Sequence, residues 1–268
     1  MKWHELSSPA LQSCDRELPV IVPLGSCEQH GAHLPVFVDT LQVNALAEGI
    51  NARLGQRVLI LPTLWLGASH HHMDFCGTVS LPPKLYAEVI QETTRCLLSH
   101  GFHRIFFLNG HGGNLVPASQ ALTDLIATDD RADAAEIALA SWWTLAADAM
   151  QADSLGMRTP TLTHACEYET SLILALRPDL VELSRIPENS IEKNRPWATD
   201  ARWGGKVEGF HRFHRWTSTG HMGKPSEATK EKGRRLILDV TNTLVDFIED
   251  FARWPKMESL LPHNRNEQ

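Results

Sequence analysis

The residues most able to do chemistry lie in three short segments, and the first combines acids with a histidine. It covers residues 25–35, GSCEQHGAHLP, and Asp39 follows it. In an extended segment Glu28 and His30 project from the same face, because side chains alternate along an extended backbone. A turn marked by Pro35 returns Asp39 to the same point. The pattern predicts a metal site in which one carboxylate bridges two cations ~3.5–4 Å apart.

The donor types narrow the choice of metal. Mixed imidazole and carboxylate ligands suit Zn²⁺ or Mn²⁺ and argue against a dedicated calcium or copper site. The alternative for this segment is that Glu28 and Asp39 are solvated loop acids and that His30 is a polar cap.

The second segment, residues 106–114 with the sequence FFLNGHGGN, joins a buried strand to a glycine-rich turn. Glycines let backbone amides approach a bound group closely. We therefore predict a functional site at this turn, with His111 at its centre and with Gly112 and Gly113 lining the place of a bound substrate. The alternative is a structural turn that His111 caps.

The third segment, residues 164–171 with the sequence HACEYETS, leads into a helix. It offers one histidine, His164, and two acids, Glu167 and Glu169. Acids at a helix start also favour the helix dipole, so ordinary N-terminal charge placement is the alternative interpretation. Glu169 is the preferred functional acid, and both interpretations stay open for Glu167.

Three adjacent histidines occupy residues 70–72. Neighbouring side chains diverge along any regular backbone, so at most one or two of them can line one pocket. We predict that they contact substrate or support the ligands rather than bind metal, with His72 as the substrate-binding member.

The elements around these segments alternate between strand and helix. Apolar β-branched runs predict strands at 20–25, 58–62, 104–108 and 137–143, and helical spacing predicts helices at 41–54, 85–98, 117–128, 169–176 and 226–251. A capping box at Ser226 is expected to open the last helix, and Gly101 to close the second in a left-handed cap. This alternation predicts an α/β fold with a mostly parallel sheet covered on both faces. Active sites in such sheets form at the carboxyl ends of strands.

One long stretch, residues 187–222, has weak periodicity and is rich in Arg, Trp, Gly and His. Excursions of this length are more often functional loops or oligomer contacts than spacers.

Composition restricts the class of protein. The chain has 268 residues, 43% of them hydrophobic, and a net charge of −7. A single domain over residues 1–268 is expected, and the negative charge makes nucleic acid and anionic membrane poor partners. No apolar run approaches the ~20 residues of a membrane span, and the first residues lack a signal-peptide layout, so we expect a cytoplasmic protein. Five cysteines without a CxxC pair predict reduced thiols.

Taken together, GSCEQHGAHLP with the Asp-Thr pair at 39–40, then NGHGGN, then HACEYETSLILAL resemble the creatininase family of amidohydrolases. The resemblance runs from about residue 20 to residue 177. It implies a three-layer α/β/α fold, a homo-oligomer that is usually a hexamer, and a centre of two ions, Zn²⁺ or Mn²⁺ and possibly Fe²⁺, in each subunit.

The resemblance also implies a role for each matching residue. Glu28 and His111 would bind one ion, His30 the other, and Asp39 would bridge both. Creatininases proper carry a Glu at the position of Gly113, and Glu169 is the expected replacement.

Two further positions complete the implied site. His164 matches a histidine thought to act as acid or base, so His164 and Glu169 are the predicted catalytic residues. Trp143 matches one of two tryptophans that cover creatinine, while the other falls near Pro160. Creatinine itself is therefore a doubtful substrate.

Three functions remain open at this point. The first is hydrolysis of a C–N bond in a small amide, cyclic amide or formamide by a hydroxide that bridges two metals, with His164 protonating the departing nitrogen. The second is a peptidase-like reaction on a modified peptide end. The third is a non-catalytic assembly protein that the metals only stabilise.

Overall fold

A parallel four-stranded sheet lies at the centre of the computed structural model, which describes residues 1–187, 198–199, 207–208 and 210–256. Its strands are β1 (Val20–Leu24), β2 (Leu59–Ile60), β3 (Arg104–Asn109) and β4 (Glu136–Ser141). Their order across the sheet is β2-β1-β3-β4. A separate parallel pair joins β5 (Ala198–Thr199) to β6 (Val207–Glu208). The rest of the predicted excursion between residues 188 and 209 lies outside the described residues.

Five helices of ten or more residues cover the sheet in the described part of the chain. They are α1 (Val38–Leu54), α2 (Pro83–Ser99), α3 (Leu115–Ile126), α4 (Glu167–Leu176) and α5 (Lys230–Phe251). Four shorter α-helices span Ser8–Gln12, Asp130–Asp133, Trp142–Leu145 and Ala152–Leu155. None of the described helices combines the length and the apolar character that a membrane crossing requires.

The two faces of the sheet bury different sets of side chains. Along β1, Ile21 packs with the apolar residues of α1, α4 and α5. Val20 and Val22 point the other way and pack with those of α2 and α3. This alternation follows from the period of two in a strand. The molecule therefore has three layers, as the predicted α/β/α architecture requires.

Most predicted elements are present, and their ends differ for local reasons. The strand predicted at 137–143 ends at Ser141, because Trp142 begins a short helix. Gly101 has the expected positive φ of 83°. The predicted capping box at Ser226 is wrong: Ser226 lies in a 3-10 turn, and the hydroxyl of Thr229 accepts the cap hydrogen bond from the Lys232 amide.

The sheet register brings the chemical segments together. Leu24 at the end of β1 pairs with Asn109 at the end of β3. The loops that follow these two strands therefore start side by side at the carboxyl edge of the sheet. Asp39 lies in the first turn of α1 and Glu169 in the first turn of α4.

The contact between α4 and α5 leaves no room for a side chain at Gly233. A Cβ added there would lie 1.9 Å from the carbonyl oxygen of Ser171 and 3.0 Å from the Cβ of Ala175. This close approach holds α5 against the helix that carries Glu169.

Replacing Gly233 by Ala is expected to destabilise the protein. The gain in helix propensity is about 1 kcal/mol, whereas overpacking against a backbone carbonyl costs about 2–3 kcal/mol or more. Urea unfolding measures the difference. Asn242→Ala, at an exposed position of α5, is the control and should be neutral or slightly stabilising. A Gly233→Ala protein as stable as the control would contradict the close contact.

Candidate metal centre

The three segments singled out in the sequence converge on one buried point. Asp39 lies between two imidazoles: its Oδ1 is 3.4 Å from His30 Nε2, and its Oδ2 is 3.0 Å from His111 Nδ1. Glu28 Oε1 is 3.4 Å from His111 Nδ1. Glu169 Oε1 is 3.7 Å from His30 Nε2. All five predicted metal ligands are thus within reach of a common centre, and all five are buried.

Each of the two predicted ligand histidines is oriented by a hydrogen bond from the ring nitrogen that faces away from the carboxylates. His30 Nδ1 donates to the backbone oxygen of Glu28 at 3.1 Å, which leaves Nε2 facing the carboxylates. His111 Nε2 lies 3.0 Å from the Ser69 hydroxyl and donates to it, which leaves Nδ1 facing the carboxylates. The Ser69 hydroxyl in turn contacts that of Ser26 at 2.5 Å. Such outer hydrogen bonds fix the tautomer of metal-binding histidines.

The pKa values of the cluster reflect buried negative charge. Burial opposes the charged form of His30, but Asp39 and Glu169 outweigh it and raise the pKa of His30 well above its ordinary value. Burial also opposes the charged form of His111, but Glu28 and Asp39 outweigh it and raise the pKa of His111 to about 10. Burial raises the pKa of the Glu169 carboxyl. The site therefore favours any cation that can sit between these carboxylates.

The two neighbouring acids of α4 have different surroundings. Glu167 Oε1 accepts from Lys232 Nζ at 2.6 Å, and its Oε2 accepts from the amides of Arg158 and Thr159 at 2.8 and 2.6 Å. Both oxygens of Glu167 are therefore engaged away from the centre. Glu169, in contrast, keeps Oε1 toward His30. The geometry favours Glu169 over Glu167 as the acid of the centre.

A strained residue sets the position of Glu169. Ala165 has a φ of 50°, the one positive φ outside glycine among the described residues. This conformation costs roughly 1–2 kcal/mol for a residue with a Cβ. It directs the Ala165 amide to Glu169 Oε2 at 2.5 Å, which turns the other oxygen to the centre.

His164, the predicted acid or base, lies against the same cluster. Its Nε2 donates to the backbone oxygen of Gln29 at 2.8 Å, and its Nδ1 is 3.7 Å from Glu28 Oε1. Burial, and then the neighbouring His30, hold the pKa of His164 well below its ordinary value. The neutral imidazole thus has its free nitrogen directed at the cleft.

A cleft opens above the carboxylates and contains the residues predicted to bind substrate. Trp143, His72, Gly112 and Gly113 all line it, together with His71, Leu162 and Thr163. His72 is buried, and its Nδ1 accepts from the side-chain amide of Gln29 at 2.9 Å. At most two of the three adjacent histidines were expected to line the pocket, and the two are His71 and His72.

The ring of Phe213 covers His72 and His164. It stacks on His72 with a centroid distance of 4.1 Å and meets His164 edge-on at 4.6 Å. The flanking residues hold it in place, because Arg212 and His214 both contact the Asp74 carboxylate, at 2.9 and 2.7 Å.

The donor set fits divalent metal ions. Three groups of donor atoms lie within 4.8 Å of one another: Glu28 with His30 and His164, Glu28 with His71 and His111, and His30 with Asp39 and Glu169. Glu28 Oε2 and His30 Nε2 are buried and lack a hydrogen-bond partner in the described part of the chain. Buried polar atoms are rarely left unpaired, so a ligand at this point accounts for them.

Several residues of the site were not predicted from the sequence. His71 was grouped with its neighbours and not distinguished as a donor near the centre. The positive φ of Ala165 falls on a residue type that seldom adopts it. Phe213 lies far from the motifs along the chain. Gln29 differs from these, because its place inside the first motif could have marked it as a partner of His164, the predicted catalytic histidine.

Comparison with known proteins identifies the creatininase family, both by a family model and by individual relatives. The family model for creatinine amidohydrolase, or creatininase, matches residues 4–248. A mycofactocin precursor peptide peptidase of Mycolicibacterium smegmatis is 31% identical over 247 residues, which cover 90% of this chain and 88% of the relative. A creatinine amidohydrolase of Pseudomonas putida is 30% identical over 181 residues, 63% of this chain and 68% of the relative.

Solved structures share the fold. A crystal structure of creatinine amidohydrolase superposes with a TM-score of 0.78 at 25% identity, covering 95% of this chain and 98% of that one. Creatininase structures described as a Zn-Zn type and as a manganese form each have a TM-score of 0.76 and cover 93% of this chain and 97% of theirs. The zinc and manganese of these relatives support a divalent metal for this chain.

Proposed function

Because the chain belongs to the creatininase family of metal-dependent amidohydrolases, we propose that it hydrolyses a C–N bond at a centre of two divalent cations. Glu28 and His111 would hold one ion, His30 and Glu169 the other, and Asp39 would bridge both. Zn²⁺ is the expected metal, with Mn²⁺ or Fe²⁺ as alternatives. The observation that carries the proposal is the position of Asp39, with one carboxylate oxygen beside each ligand imidazole.

The residues of the chain account for the steps of an amide hydrolysis. A bound cation pair polarises a carbonyl and lowers the pKa of water toward neutrality. His164 accepts the proton of the attacking water at Nδ1, since its Nε2 proton is held by Gln29. As the C–N bond breaks, His164 returns that proton to the departing nitrogen. The products are a carboxylate and an amine.

The end of a peptide is the favoured substrate class. The relative described as a peptidase aligns over 90% of this chain, whereas the creatinine amidohydrolase aligns over 63%. The cleft supports this choice, because Trp143 is the one tryptophan among the described residues that line it. A small cyclic amide is the second candidate, since Trp143 offers one aromatic face. The family resemblance also leads us to propose a homo-oligomer, with a hexamer as the expected size.

The substrate class can be tested with a panel. Creatinine, formamide, the mycofactocin precursor peptide and unrelated short peptides are incubated with the metal-loaded enzyme. Mass spectrometry follows the hydrolysis product of each, which is the ring-opened molecule for creatinine and the two fragments for a peptide. We expect hydrolysis of a peptide at a rate on the order of 100 times that of creatinine or more. Asp39→Asn is the inactive control. Faster turnover of creatinine than of every peptide would put the cyclic amide first.

The two acids of α4 provide a matched pair of variants. Glu169→Gln is expected to lower the metal content from two ions per chain to about one and to reduce turnover on the order of 100-fold. Glu167→Gln should keep both ions and instead lose about 2 kcal/mol of stability, because Lys232 loses its charged partner. Elemental analysis and thermal denaturation measure the two effects. Loss of metal from Glu167→Gln but not from Glu169→Gln would reverse the assignment.

Metal removal is expected to lower both stability and turnover. Each site saturated at 100 times its Kd contributes about 2.7 kcal/mol to stability, which corresponds to a Tm change of roughly 5–10 °C for a chain of this size. Thermal melts with and without a chelator measure this change, and added Zn²⁺ or Mn²⁺ should restore it. The Tm of Asp39→Asn should respond less to the chelator. A chelator-induced fall in Tm with no turnover before or after would instead support a non-catalytic assembly protein.

A further inference from the structure

His71 is a donor that the proposed ligand set does not use. We propose that His71 is a further protein ligand of the ion held by Glu28 and His111. This inference rests on the proposed two-metal function and specifies how one of the two sites is closed.

The donor atoms of His71, Glu28 and His111 form a compact group. One donor atom from each lies within 4.8 Å of the others. Zinc binds imidazole nitrogen at ~2.0–2.1 Å and carboxylate oxygen at a similar distance. Two ligands of one ion can therefore lie up to about 4 Å apart, so small side-chain rotations bring all three atoms onto a shared ion. The His71 and His111 rings already lie nearly parallel, with an interplanar angle of 11° and a centroid distance of 5.7 Å.

The rings of His71 and His111 lie so close to the backbone at Gly113 that no side chain fits there. A Cβ added at Gly113 would lie 2.5 Å from His111 Nε2 and 2.8 Å from His71 Cε1. It would also lie 2.3 Å from the carbonyl oxygen of Ala68, which cannot move aside as a side chain could. A side chain at position 113 is thus excluded, and the glycine lets the rings of His71 and His111 both lie against this backbone.

The two neighbours of His71 do not belong to this group of donor atoms. His70 is exposed, and its Nδ1 contacts the Ser80 hydroxyl at 2.8 Å. His72 Nε2 lies 3.6 Å from Glu28 Oε1, but its Nδ1 accepts from the side-chain amide of Gln29, so Nε2 carries the ring proton and faces that carboxylate as a donor. The His72 ring also stacks on Phe213. Among the three adjacent histidines, His71 is the one that belongs to a group of donors able to hold an ion.

A ligand at His71 makes the two ions inequivalent. The first ion has Glu28, His111, His71 and the bridging Asp39, and four protein ligands close a tetrahedral site. The second ion has His30, Glu169 and Asp39, and three protein ligands leave a position open for water or substrate, as catalytic sites require. We therefore expect one tightly held ion and one that exchanges readily.

The experiment measures how each ion is lost from the loaded enzyme. Wild type, His71→Ala and His70→Ala are titrated with a competing chelator, and elemental analysis follows the metal content. The wild type and His70→Ala should release two ions in separate steps. In His71→Ala the tighter step should weaken at least 10-fold while the weaker step keeps its affinity. His71→Glu, which retains a donor of similar reach, should recover most of the tight step.

The outcomes separate this inference from the function on which it rests. Unchanged affinities for both ions in His71→Ala overturn the inference, and a raised KM in that variant would make His71 a substrate contact instead. A wild-type enzyme that binds only one ion, or none, contradicts the proposed two-metal function whatever His71 does. Thermal melts of each loaded variant verify that the protein is folded.

Discussion

Three carboxylates, those of Glu28, Asp39 and Glu169, are buried side by side, and the site is organised around the positive charge that they require. Taking one carboxylate out of water costs several kcal/mol unless a cation compensates it. His30 and His111 provide part of that compensation, which is why their pKa values rise despite burial. Divalent cations at the proposed centre would provide more, since each carries two charges and accepts lone pairs from carboxylate and imidazole alike. Metal binding and the integrity of this part of the fold are therefore linked.

The parallel sheet explains how these carboxylates come to lie side by side. Because β1 and β3 are neighbours in register, the loops that carry Glu28 and His111 start a strand spacing apart. Asp39 and Glu169 both lie in the first turn of a helix. The positive end of the helix dipole favours a carboxylate there. N-terminal charge placement, which the sequence offered as an alternative to function for Glu169, is thus compatible with the role proposed for this acid.

Local patterns predicted most of the fold, and tertiary contacts decided the rest. The strand at β3 and the helix at α2 were predicted within two residues, because their periodicities are local properties of the sequence. Glu28, His30 and Asp39 were grouped correctly since alternation in an extended loop is also local. Neither the position of Phe213 over His72 nor the choice among three adjacent histidines is local. Each depends on segments at least 40 residues apart meeting at the sheet edge.

Helix geometry explains why two acids separated by one residue face different partners, Lys232 for Glu167 and His30 for Glu169. Successive helical residues are about 100° apart, so Glu167 and Glu169 point roughly 200° apart around α4. One side of α4 meets Lys232 on α5 and the amides of residues 158–159, and Glu167 joins these elements. The other side meets His30. The ion pair between Glu167 and Lys232 fixes α4 on the side away from the centre. The Glu169 carboxylate on the other side is therefore held in position before any ligand binds.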